Sequence, residues 1–261
     1  MATRTARALA TLQAYVLHHY DWSESSLILD LFTREQGRLA VAAKGAKRPH
    51  SQLRSVLLPF QRVNVSLARP RGAAEDSAAP DVQTLRAAEW AGGAAMLTGA
   101  ALFSGFHCNE LLMKLLARHD PHLQLFDAYA LTLPALAEKD DAKVQAALRA
   151  FEFVLLKEVG LLPDLSRVTQ TQQAVHESDA LALSPEAGVT LPRGADVRLP
   201  GSVLINVQAA LEHGSLPALR QACAAALPEL KAALRALLHY HLGIPMLRTR
   251  QVMMDLQSLN A

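Results

Sequence analysis

Near Trp90 the hydrophobic repeat of this chain changes period, and that change constrains the fold more than any other feature. Before it, apolar and polar residues alternate. In "FQRVNVSLAR", Val63, Val65 and Leu67 fall on one side and Arg62, Asn64 and Ser66 on the other, the signature of a strand with one buried face. "LQAYVLHHY", "SSLILDLFT", "RLAVAAKGA" and "VQTLRAAEW" have the same length and β-rich make-up. "REQG", between the second and third strands of the series, reads as a hairpin turn, with Gly37 supplying the special backbone angles. Five short strands in about 80 residues predict a small barrel of the OB type.

After Trp90 the spacing is helical. "CNELLMKLLARH" sets Leu111, Leu112, Leu115 and Leu116 on one face, with Asn109 as the expected N-cap. "PHLQLFDAYALTLPALA" continues as helix. "DAKVQAALRAFEFVLLKEVG" aligns Val144, Ala147, Leu148, Phe151, Val154, Leu155 and Val159, and Gly160 ends it. Pro228 suits the first turn of the last long helix, "PELKAALRALLHYHLG". The chain is therefore expected to be α+β. An N-terminal OB-fold covers residues 1–85 and a mainly α-helical domain covers 86–261, with an irregular, proline-punctuated insert at about 161–200.

Net charge is only +2, but it is unevenly spread. Between Glu35 and Glu75 there is no acid, yet Arg38, Lys44, Lys47, Arg48, Arg54, Arg62, Arg69 and Arg71 all fall there. A solvated surface ordinarily mixes signs, and a single-sign stretch points to a polyanion. Arg38 and, in the loop after the third strand, Lys44, Lys47, Arg48 and Arg54 are the expected DNA contacts, the loop cations meeting phosphates, with Gly45 and Pro49 shaping the loop. The competing reading is a polar loop guarding a sheet edge. Aromatics near the loop are few (Tyr15, Tyr20, Trp22, Phe32 and Phe60), which favours backbone binding over base reading. Arg248 and Arg250 in "GIPMLRTRQ" either extend the positive surface or solvate the chain end.

Enzyme motifs are missing. "AAKGAKR" lacks the first glycine and the hydroxyl of a phosphate loop, and neither G-x-G-x-x-G nor G-x-S-x-G occurs. His107 and Cys108 in "FHCNE" are sequence neighbours that diverge on a helix, as do His239 and His241 in "HYH". Core or surface roles fit them better than a metal site. The N-terminal acids Asp21, Glu24, Asp30 and Glu35 form no cluster suited to a two-metal nuclease. No cofactor is expected. Two cysteines make no disulfide framework, no run is long enough to span a membrane, and the N-terminus lacks a secretory pattern. The expected location is the cytoplasm.

"YDWSESSLILDLFTREQGRLAVAAKGAKRPHSQLRSVLLPFQRV" resembles the N-terminal domain of the RecO family of bacterial recombination mediators. The W-S-E-S-S stretch, the F-T-x-x-x-G-R hairpin, the A-K-G-A lead and L-x-P-F occur in order. "TLRAAE", "NELLMKLL", "LRAFEFVLLKEVGLLPDL" and "RTRQVMMDL" extend the likeness over most of the chain. The resemblance implies a non-enzymatic protein that binds single- and double-stranded DNA and anneals complementary strands. It implies recognition of the C-terminal tail of single-stranded-DNA-binding protein (SSB), and work with RecR to load RecA. Arg149 matches a basic position that the family uses for that tail, and Leu148 and Phe151 lie on the adjoining apolar stripe. The alternative is that Arg149 pairs with Glu152 or Gln145. Many members of the family carry two C-x-x-C pairs that bind zinc. The matching positions here are Val168, Thr171, Leu191 and Gly194, and Val, Leu and Gly offer no ligand, so a zinc-free branch is expected, its insert shaped by apolar contacts. The alternative functions are a protein-binding adaptor without DNA contact and a metal-dependent nuclease.

Overall fold

The computed structural model describes residues 11–68, 81–92 and 96–259. Residues 69–80, with Arg69 and Arg71 of the acid-free window, lie outside the described residues. The described residues up to Met96, together with Leu116–Phe126, form one compact unit. Leu97–Leu115 and the described residues from Asp127 onward form another.

In the first unit β1 (Thr11–Asp21), β2 (Leu27–Thr33), β3 (Gly37–Ala43), β4 (Arg62–Ala68) and β5 (Val82–Trp90) close into a barrel in the order β1-β2-β3-β5-β4. Only β3 and β5 run parallel. One short helix, α1 (Leu53–Val56), lies between β3 and β4 in the chain. Leu29, Leu31, Leu39, Val41, Val63 and Val65 fill the interior without solvent contact; burial alternates as the sequence predicts along β4, whereas much of β1, β2 and β3 is buried on both faces. This is the OB-like barrel that the five strand patterns predict. β5 continues to Trp90, so the boundary expected after residue 85 falls inside a strand.

Gly37 is required where it stands. Its φ is +68°, and a Cβ there would lie 1.9 Å from the carbonyl oxygen of Asp120, far inside contact distance. The neighbouring Arg38 carbonyl accepts a 3.0 Å hydrogen bond from the His119 N–H. The hairpin glycine thus also admits residues 118–120 against the barrel wall.

The second unit contains α2 (Gly99–Leu115), the part of α3 (Leu123–Leu136) from Asp127, α4 (Asp141–Glu158), α5 (Gly201–Glu212), α6 (Leu216–Ala224), α7 (Leu227–Leu242) and α8 (Arg248–Leu259). α4 is buried almost all round from Val144 to Leu156, as a central helix must be. Asp140 caps it, its Oδ1 accepting from the Ala142 N–H at 3.0 Å. Gly160, at φ +71°, lets the chain turn so that the Leu161 N–H reaches the Leu156 carbonyl at 2.8 Å.

Two expectations are corrected. Asn109 is not an N-cap: α2 starts ten residues earlier, and Asn109 is buried within it, accepting from the Tyr129 hydroxyl at 2.5 Å. The apolar run before Asn109 is helix too, so the polar residue marks an interior bond and not a helix start. Nor is the insert wholly irregular. β6 (Ala180–Ser184), β7 (Gly188–Thr190) and β8 (Leu199–Pro200) form a sheet in the order β7-β6-β8. Strands of two to five residues are too short for their period to show in sequence. Hydrogen bonds as well as apolar contact hold this region: the Thr169 N–H donates to the Val189 carbonyl at 2.8 Å, and the Thr169 hydroxyl accepts from the Val189 N–H at 2.9 Å.

Candidate functional site

The basic loop is a run of tight turns. The Arg48 N–H reaches the Gly45 carbonyl at 3.2 Å, Ser51 reaches Arg48 at 3.0 Å, and Arg54 reaches Ser51 at 3.3 Å. Gly45 takes φ +73°, a left-handed angle that favours glycine. The serines of "WSESS" anchor the loop. The Ser25 carbonyl accepts from the Lys47 N–H at 3.0 Å, and buried Ser26 offers its hydroxyl to the Gly45 N–H at 3.5 Å.

The predicted cations differ in availability. Lys44, Arg48 and Arg54 are exposed, and among the described residues no carboxylate pairs with them. Lys47 bonds the Ser23 carbonyl at 3.2 Å and lies 3.1 Å from the Asp21 carboxylate. Arg38 is largely buried, its Nε 3.4 Å from Asp30. Burial pushes the Asp30 carboxyl up, opposed by the charges of Arg38, Arg118 and His18. Tyr15, Phe32 and Phe60 are core residues, whereas Tyr20 and Trp22 stand exposed at the turn that anchors the loop.

A cavity of about 410 Å³ opens in the helical unit, within the range of ligand pockets. Its lining combines apolar Phe103, Leu148, Leu238, Leu247, Met253 and Met254 with four cations, Arg149, Lys231, Arg235 and Arg250, and a single carboxylate, Glu152. Leu148 and Arg149 thus reach the cavity as the sequence predicts. Phe151 is not on its lining; it is fully buried and packs on Tyr129 at 6.0 Å between ring centroids.

Arg149 is engaged within the protein. Its Nη2 donates to Glu152 Oε1 at 2.8 Å, and both side chains are almost wholly excluded from water. His107 Nε2 meets the same oxygen at 2.8 Å. Burial works to raise the Glu152 carboxyl, but Arg149, His107 and the Arg235 charge outweigh it and leave it below the usual glutamate value. Cys108 and Cys223 are buried beside this pair. Burial drives both thiols up, that of Cys223 to about 12, so neither is a nucleophile near neutrality.

Sequence reasoning missed Lys231, Arg235 and His239 as cavity residues. Their spacing of four along α7 was the available signal. Arg250, read as DNA-contacting or terminal, also lines the cavity. Arg248 is exposed, with its backbone N–H bonded to Glu110 at 2.9 Å. Among the described residues no cluster of three or more His, Cys, Asp or Glu is arranged for a metal, and no helix is long and apolar enough to cross a membrane.

A closed five-stranded barrel with an acid-free basic turn, followed by a helical unit with a cationic cavity, defines a protein of the OB-barrel class with a helical domain. The family model "Recombination protein O N terminal" matches residues 8–75, and "Recombination protein O C terminal" matches 96–251. The chain is 48% identical to the DNA repair protein RecO of Verminephrobacter eiseniae, over 97% of this chain and 99% of that protein. It is 49% identical to the DNA repair protein RecO of Polaromonas sp., over 94% and 96%, and 46% identical to that of Delftia acidovorans, over 98% and 99%. The chain belongs to the RecO family of DNA repair proteins.

Proposed function

We propose that this chain is a recombination mediator that binds single- and double-stranded DNA on its barrel and anneals complementary strands. It takes the C-terminal tail of SSB in its helical cavity, and it works with RecR to load RecA. The observation that carries this reading is the trio Lys44, Arg48 and Arg54: exposed, free of carboxylate partners among the described residues, and presented by an anchored loop. Cations so placed release counterions when a phosphate backbone arrives, whatever its sequence. The cavity supports the second part, because an acidic chain ending in an apolar residue needs both a greasy wall and positive charge. A non-enzymatic role in the cytoplasm agrees with the buried, inert thiols and with a family named for DNA repair.

The test is a pair of measurements on the full chain. Binding to single- and double-stranded oligonucleotides is followed across salt, and a labelled SSB-tail peptide is titrated separately. Salt-sensitive DNA binding and annealing that survive chelator support the reading. Peptide capture without any DNA binding would leave only the adaptor, and magnesium-dependent strand loss would indicate a nuclease.

A further inference from the structure

We infer that Tyr20, near the end of β1, and Trp22, in the turn that follows, form a platform on which unpaired bases stack, so that the barrel distinguishes a single strand from a duplex. The platform presupposes the DNA binding proposed above and adds to it the means by which strand state is recognised.

The first observation is exposure. Tryptophan is on average a highly buried residue, yet Trp22 is 56% exposed and Tyr20 49%. Among the described residues the Trp22 side chain has neither a hydrogen bond nor a ring partner.

The second is that the rings stand on a fixed support. The Trp22 and Ser23 N–H groups both reach the Ser26 carbonyl, at 3.2 and 3.4 Å. Lys47 ties down both neighbours of Trp22: its ammonium donates to the Ser23 carbonyl at 3.2 Å and lies 3.1 Å from the Asp21 carboxylate. Tyr20 is braced by His18, the two rings meeting edge to face at 4.5 Å. Half-buried Ile28 is its register partner on β2. Aromatic groups set in place before a ligand arrives lose little freedom on binding it.

The third is the company they keep. The loop bonded to this turn through Lys47 and Gly45 is the one that carries Lys44, Arg48 and Arg54. Cations attract the phosphates of paired and unpaired DNA alike. Rings do not: an unpaired base offers an open face that stacks on an aromatic side chain whatever the base, whereas in a duplex that face is covered by the next pair. A protein partner suits the turn less well. Tryptophan and tyrosine that anchor protein interfaces are ringed by contacts that exclude water, and here Asp21, Ser23 and Glu24 beside Trp22 are all exposed. Pairing with a complement then lifts the bases off the platform, and the annealed product is held by its phosphates alone.

The test uses three labelled probes of equal length on the full chain: a single strand, the same strand made abasic, and the duplex. Trp22→Ala should weaken the single strand by about fivefold or more, leave the abasic strand and the duplex almost unchanged, and keep the salt slope of wild type. Tyr20→Ala with Trp22→Ala should bring the single strand close to the abasic one, and Trp22→Phe should recover most of the loss. Both positions are exposed, so these variants are expected to fold. Equal losses on all three probes would reduce Trp22 to a support of the basic loop and overturn the inference. Unchanged affinities in the double variant would overturn it too, and would return the exposed rings to a protein partner. If wild type binds none of the probes, the DNA-binding reading itself has failed and the platform goes with it.

Discussion

Arg149 and Glu152, three residues apart on α4, form a 2.8 Å ion pair with side chains only 7% and 3% exposed. A pair so placed is a feature of the interior. Breaking it by removing one partner leaves an uncompensated charge, at a cost of about 3 to 5 kcal/mol. Arg149→Glu should therefore unfold at markedly lower urea concentration than wild type, and part of that loss should return in Arg149→Ala with Glu152→Gln. Equal midpoints for Arg149→Ala and wild type would show that the pair contributes little. A loss of peptide binding in Arg149→Glu then reports damaged folding unless stability is measured beside it.

On the barrel, reversing Lys44, Arg48 and Arg54 to Glu should weaken DNA binding by about tenfold or more and flatten its log–log salt slope by about 2 to 3. Arg38→Ala should leave that slope alone, because Arg38 faces Asp30. Adding Lys47→Glu should do less than its charge suggests, since Asp21 already shares it. Quenching of exposed Trp22 on adding oligonucleotide gives an independent reading of occupancy at the loop. Undiminished binding by a folded triple variant would falsify the phosphate assignment.

Metal analysis of the purified chain should find no stoichiometric zinc. Val168, Thr171, Leu191 and Gly194 stand where the family's zinc ligands are expected, and Thr169 bonds the Val189 backbone in that region. One zinc per chain would overturn the correspondence of those positions.

Tail binding should strengthen as pH falls towards and below the ordinary histidine value of 6.5. Burial, followed by the charges of Arg235, Arg250 and His107, holds the His239 imidazole below its ordinary value. A bound carboxylate offsets those cations and raises that value, so binding takes up a proton in the window between the two. The folding sign is opposite in form. A histidine lowered in the folded state costs nothing above the unfolded value of 6.5 and destabilises as pH falls below it. Peptide affinity at two pH values in wild type and His239→Gln checks this: the pH slope should be smaller in the variant.

The barrel was legible because β4 alternates strictly, the other apolar runs have strand length, and the hairpin needs Gly37. α4 was legible for a related reason, since its apolar stripe is bounded by Asp140 and Gly160. The start of α2 was not, because the small residues of "LTGAALFSGF" blur its helical period. The basic loop stood out by charge, yet charge alone could not separate exposed Lys44 from Arg38, whose partner lies on a neighbouring strand. Half of the cavity was hidden for the same reason. Leu148 and Arg149 were found along one helix, whereas Arg235 and Arg250 join them only when α7 and α8 fold back.

The Thr169 clasp on β7 has a consequence for conditions inside a damaged cell. Thiolate–metal clasps are open to peroxide and to metal starvation, because sulfur is oxidised and the ion can be withdrawn. A hydroxyl and three backbone groups offer neither handle. At this point the chain is joined by bonds indifferent to oxidants, so its insert should hold its shape under the oxidative stress that breaks DNA.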